Sequence, residues 1–229
     1  MNSIRLAKGF LASAELSADD RYRSYLQVLD RETVAALMMH PDSNAADPLA
    51  GAFAMAGNTD DLNRMFSVDA QTQLPDDLLM LTDKMSMAVS LECRVPLLDH
   101  KLVELAASIP ASIKVRGGRL KHVLKESLRD MLPPDILDRK KRGFGTPMGA
   151  WLKRELAPML RRVLAPEVIV ARGLFRPNVV ERLIKDHEAN KIDGTDTLLS
   201  LMNLEIWSRM YLDRRDPQDV TAELKSYLA

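Results

Sequence analysis

The residues with the most chemical potential are Arg139-Lys140-Lys141-Arg142, followed at once by Gly143-Phe144-Gly145. Clustered cations stabilise phosphate charge, and glycines let the backbone approach a ligand closely. The pattern suits a mobile phosphate-binding loop, although a solvated basic turn is the commoner meaning of such a run. Its surroundings share the charge. Residues 111–164 hold 14 Lys or Arg against 5 Asp or Glu, a net of +9. The whole chain has 32 Lys plus Arg and 32 Asp plus Glu, so the remainder carries −9. A neutral chain has no global attraction to nucleic acid or anionic membrane. Nucleic-acid binding would have to come from the +9 segment alone and show strong salt dependence.

Further candidates lie upstream. Asp83 and Lys84 interrupt an apolar run of Leu78, Leu79, Leu81, Met85, Met87, Ala88 and Leu91, with Glu92 and Arg94 at its end. Charges inside an apolar helix are seldom buried unless paired or functional. Asp83 and Lys84 are neighbours that point apart, whereas Glu92 and Arg94 can make structural ion pairs. Lys121 and Lys125 share a helix face at i, i+4, and a lysine near a helix start opposes the dipole. That small cost slightly favours a ligand or partner role for Lys121, although a solvated face is the commoner meaning of such a pair. The single Cys93 reads as a buried small side chain rather than a nucleophile. It cannot form an internal disulfide, which fits a reducing cytosol and gives a cytoplasmic expectation. His40, His100, His122 and His187 show no metal-ligand spacing, and no G-x-S-x-G, P-loop or G-x-G-x-x-G occurs.

The elements that must position these residues read as helices. Gly and aromatic residues are few, Leu, Ala and Met abundant, and period-3.6 patterns recur. Helices are expected over 3–15, from Asp19-Asp20 through Leu29, over 31–39, 60–71, from about 76 to 93, 98–108, 119–132, 147–164, 177–190, 195–212 and 217–228. The 76–93 helix, apolar on more than one side, is expected to be centrally buried. Leu74-Pro75-Asp76-Asp77 reads as a turn, Gly117-Gly118 as another, and Ile113-Lys114-Val115 as one short extended piece. Thr146 is placed to cap a helix that Pro147 begins. The basic loop 139–146 divides possible sub-bundles 1–138 and 147–229. No run reaches the ~18 apolar residues of a membrane span, and no apolar h-region follows Arg5 and Lys8.

Several ordered stretches carry a family resemblance: Leu74-Pro75-Asp76-Asp77, Asp83-Lys84-Met85-Ser86-Met87-Ala88, Leu91-Glu92-Cys93-Arg94-Val95-Pro96-Leu97-Leu98-Asp99-His100, and Lys141-Arg142-Gly143-Phe144-Gly145-Thr146-Pro147. Together they resemble the C-terminal part of the synthetase domain of glutamine-dependent asparagine synthetases, most strongly over residues 60–155. The resemblance implies the helical portion of an adenine nucleotide α-hydrolase-like (α/β) domain, mainly α, with the parallel-sheet core missing from this chain. It implies ATP and Mg2+, adenylation of a carboxylate (aspartate by default), and attack by glutamine-derived ammonia. It implies that Lys141 stabilises charge developing on phosphate, with Arg142 and Gly143 shaping its loop. Asp83, Lys84, Ser86, Glu92 and Arg94 match the helix that borders the active cleft, and Lys121 matches a recurrent family lysine.

Residue 2 is Asn, so the family's N-terminal Cys nucleophile and its glutaminase domain are absent. The Ser-Gly-Gly-x-Asp-Ser pyrophosphate loop is also missing from these 229 residues. The chain is therefore expected to be a fragment or split component, inactive alone and needing the glutaminase and nucleotide-binding portions as partners. The alternative is a non-catalytic helical interaction module derived from that domain. In either case, apolar surface at Met39, Ala45–Ala56 and the Met-rich 79–89 helix is expected to be exposed, with self-association unless a partner covers it.

Overall fold

The computed structural model describes residues 13–42, 44–140 and 145–228. The expected helix over 3–15 and the core of the basic loop, residues 141–144, lie outside them. The described residues are mainly helical, and no named strand occurs among them. None of the described helices is long and apolar enough to cross a membrane. Two compact units are present, one of residues 13–26 and 46–140, the other of residues 27–45 and 145–228.

In the first unit the helices Ala18–Leu26, Ala50–Met55 and Asp61–Gln71 pack around Phe53 and Val68, which are buried. Polar side chains enclose this small core. The Arg23 guanidinium lies 4.1 Å from the Phe53 ring centroid, and that of Arg64 5.6 Å. Two carboxylates hold these cations over the ring: Asp19 accepts from Arg64 at 2.8 and 3.0 Å, and Asp47 from Arg23 at 2.9 Å. Such stacking adds electrostatic attraction to apolar contact. Asp60 caps the third helix by accepting from the Asn63 N–H at 2.9 Å, as its position before an apolar-periodic run implies.

The next segment departs from expectation. Leu74–Leu79 is a π-helical segment rather than a turn, and it runs into the helix Met80–Met87. That helix stops well short of Arg94, because Ser90 takes a left-handed φ of 59°. Nor is it centrally buried: Met85 is 62% exposed and Met87 53%. Its second apolar side has no described layer against it, which agrees with the expectation of uncovered apolar surface there. Met39 is exposed too, whereas Phe53 within Ala45–Ala56 is not. Cys93, expected inside, is exposed in the irregular stretch that follows.

Beyond it, Asp99 caps His100–Ser108 through the Lys101 N–H at 3.0 Å. Residues Ala111–Lys114 form a helical turn, not an extended piece; only Val115 is extended. Gly117 and Gly118 both have positive φ, 56° and 73°, and they close a tight turn that pairs Arg116 with Arg119. Glycine adopts this left-handed backbone at no steric cost. The helix expected over 119–132 shrinks to His122–Ser127, since Lys121 is itself left-handed at φ 55°.

The second unit has a conventional apolar core. Leu37, Leu152, Leu160, Val163, Leu164, Ile169, Val180, Ile184, Leu198, Leu201 and Met202 are buried together. All but Leu164, which caps the third, come from the helices Arg31–Leu37, Met148–Lys153, Ala157–Val163, Pro166–Arg172, Pro177–Glu188 and Thr195–Tyr211, with Pro217–Ser226 alongside. The first helix ends at Leu37 because Met38 leaves it to pair with Phe175. The single helix expected over 147–164 is two, broken at Arg154 (φ −127°, ψ −89°). Pro147, not Thr146, holds the cap position of the first, and no side chain caps it.

Gly149 permits a close helix crossing. A Cβ there would lie 2.5 Å from Thr195 Oγ1, which is tied to Asp193 Oδ1 by a 2.7 Å hydrogen bond. Gly149→Ala is therefore expected to destabilise this unit by about 1–3 kcal/mol despite alanine's better helix propensity. Urea denaturation of the two proteins checks it; equal midpoints would contradict the crossing.

Candidate functional site

The basic loop is held at its upstream end by a charge cluster that sequence reading missed. Arg119, placed by the Gly117-Gly118 turn, donates to Glu126 at 2.7 Å and to Asp138 at 2.7 Å. Arg129 reaches the same Glu126. The hydrogen bond from Arg129 leads in holding the Glu126 carboxyl below its ordinary range, with Arg119 adding to it. Asp138, one residue before Arg139, is thereby tied to the Gly117-Gly118 turn. Arg139 and Lys140 are exposed. Lys141, Arg142 and Gly143 lie outside the described residues.

Of the other candidates, Asp83, Lys84 and Ser86 sit on the helix Met80–Met87. Asp83 and Lys84 are exposed, and Ser86 Oγ donates to the Asp83 carbonyl at 3.2 Å. Glu92 and Arg94 pair at 2.7 Å, both well exposed, so the pair contributes little stability. Lys121 is exposed and stands just before its helix rather than inside it. The shared helix face with Lys125 is thus not formed. Among the described residues no hydrogen bond or ion pair joins Lys121 to the Asp83–Arg94 group. What the structure brings together is a set of solvent-facing polar groups beside an uncovered apolar helix.

Among the described residues no group of three or more His, Cys, Asp or Glu could hold a metal ion. No step through the metal is therefore assigned to these residues.

Comparison with known proteins decides the family. The asparagine synthase family model matches residues 2–209. The chain belongs to the asparagine synthase family. Asparagine synthetase (glutamine-hydrolysing) 1 of Bacillus subtilis is 29% identical over 212 residues, 91% of this chain. Asparagine synthetase (glutamine-hydrolysing) 3 of the same organism is 49% identical over 143 residues, covering 59% of this chain and 23% of that relative. The Gallus gallus asparagine synthetase is 36% identical over 69 residues, 29% of this chain and 12% of its own length. The chain spans 33% of the length of the first of these relatives. No solved structure matches it. The mainly helical architecture is consistent with the helical C-terminal portion of a synthetase domain, and the matched range contains both the Asp83–Arg94 stretch and the residues of the loop at Lys141.

Proposed function

We propose that residues 1–229 supply the helical wall and the phosphate-side loop of an ATP-dependent amidotransferase that adenylates a carboxylate and passes ammonia to it. Aspartate is the default acyl substrate and glutamine the ammonia source, as in the names of the relatives. The observation that carries this reading is the family match over residues 2–209, which takes in the whole Lys141-Arg142-Gly143-Phe144-Gly145-Thr146-Pro147 loop.

The chemistry asked of this chain is electrostatic. Lys141 places a positive charge where negative charge develops on phosphate, and a fixed charge costs no reorganisation as the reaction proceeds. Arg142 and Gly143 shape the loop, and the Arg119–Asp138 pair anchors its upstream end. Asp83, Lys84, Ser86, Glu92 and Arg94 face the substrate side, with Lys121 in support. The Ser-Gly-Gly-x-Asp-Ser pyrophosphate loop does not occur in residues 1–229, so a partner segment supplies it, and the assembly works in the cytoplasm.

The purified 229-residue chain is expected to make no asparagine from aspartate, ATP and ammonia. The same chain joined to the nucleotide-binding segment of its Bacillus relative is expected to make it. Robust synthesis by the chain alone would overturn the reading.

A second reading, a helical interaction module, draws on the uncovered apolar face that includes Leu81, Met85 and Val89. Both readings call for a partner on that face. Sedimentation should show concentration-dependent self-association of the isolated chain, reduced by Met85→Lys. A monodisperse monomer at every concentration would contradict it.

A further inference from the structure

His187 and the cavity beside it play no part in the reading above. The residue is 1% exposed, near the end of the helix Pro177–Glu188. The Gly194 N–H donates to its Nδ1 at 3.1 Å. That bond occupies the Nδ1 lone pair, so the proton of the neutral ring is assigned to Nε2. Nε2 is buried and has no hydrogen-bond partner. A buried N–H without an acceptor is a cost that native structures rarely leave standing, and each one calls for a reason.

The surroundings suggest one. His187 lines an open cavity of about 600 Å³ within the second unit, walled also by Lys153, Lys191, Asp193, Thr195 and Asp196. Gly149 keeps one wall back: an added Cβ would stand 3.8 Å from His187 Cε1, on the ring edge away from the backbone. The rim carries charges of both signs. Lys153 Nζ spends one donor on Asn190 Oδ1 at 2.6 Å, and Lys191 Nζ one on Asp186 at 3.0 Å. An ammonium has three donors, so each lysine retains others. Asp193 accepts from the Thr195 hydroxyl at 2.7 Å and brings its carboxylate to the same rim as Asp196.

We infer that this cavity binds a small zwitterion of the amino-acid class, its carboxylate directed to His187 Nε2–H and the lysines, its ammonium to the Asp196 carboxylate. A simple anion would meet the Asp196 carboxylate, and a simple cation the two lysines. Only a ligand with both charges complements the rim and also supplies the acceptor that Nε2 lacks.

The full 229-residue chain, labelled with nitrogen-15 histidine, tests this by titration with glycine, acetate, methylammonium and inorganic phosphate. Glycine is expected to give a saturable shift of the His187 ring resonances. Each single-charge probe should bind at least about tenfold more weakly. Lys191→Ala and Asp196→Asn, both at exposed positions, should each weaken glycine binding several-fold with an unchanged melting temperature. The proposal fails if no probe shifts His187 saturably. It fails also if acetate or phosphate binds as tightly as glycine, or if neither rim variant alters glycine binding. The readout is independent of asparagine synthesis, so it stands or falls apart from the proposed function.

Discussion

Replacing Lys141 by alanine in the assembled synthetase is expected to lower kcat/KM by about 10²–10³, the size of effect seen when a single preorganised charge-stabilising donor is removed. The loss should fall mainly on kcat. A charge that meets its partner only as negative charge develops contributes to the transition state more than to substrate binding. Lys141→Arg keeps the charge but spreads it over a planar fork, so partial recovery is expected. Arg139→Ala, at an exposed neighbouring position, should cost much less. Urea denaturation of the isolated chain should be unaffected by all three. Steady-state kinetics in aspartate, ATP and ammonia check the set. An unchanged kcat in Lys141→Ala would remove the lysine from the chemistry.

Glu205→Ala should be the most destabilising single charge deletion in the second unit. Glu205 is 5% exposed and accepts from Arg172 at 2.9 and 3.1 Å and from Arg209 at 3.0 Å; Arg209 is equally buried. Deleting one partner of a buried pair leaves the other charge desolvated, at a cost of about 3–5 kcal/mol. Arg172 keeps Asp213 and Arg209 keeps Glu223, so the lower end of that range is expected. Thermal unfolding checks it, with Glu92→Ala, an exposed pair, as the unaffected control. The same network sets an acid dependence. Hydrogen bonding from Arg172 holds the Asp213 carboxyl below its ordinary value. Tyr227, followed by Arg215, does the same for Glu223. Groups with lowered folded pKa values contribute stability that is complete above the ordinary carboxylate range and is lost as pH falls through their folded values. The melting temperature should therefore be flat above about pH 5 and fall below it. A melting temperature that rose on acidification would contradict the network.

Helices with local signals were legible. The helices expected over 60–71 and 98–108 are found as Asp61–Gln71 and His100–Ser108, with Asp60 and Asp99 as their caps. Pro177 and Pro217 mark true helix starts. Tertiary geometry hid the rest. Leaving the helix at Met38 requires Phe175, more than a hundred residues away. The left-handed Ser90 and Lys121, which shorten two expected helices, are residue types that rarely adopt that backbone. Burial misled at Met80–Met87 and Cys93, since an apolar helix reads as buried whether or not the described chain covers it. Of the candidate site, the wall residues and loop came from motif order. The Arg119–Asp138 anchor and the His187 cavity carry no motif at all: each depends on residues that only the fold brings together.

The position of Lys141 at the nucleotide phosphates is tested most directly by covalent labelling of the assembled synthetase with an acyl phosphate derivative of ATP, which acylates lysines next to bound phosphate. Peptide mass spectrometry then reads the modified site. The account predicts acylation of Lys141, suppressed by excess ATP, with Lys84 and Lys121 labelled far less. Acylation at Lys84 or Lys121 with ATP protection, and none at Lys141, would contradict it.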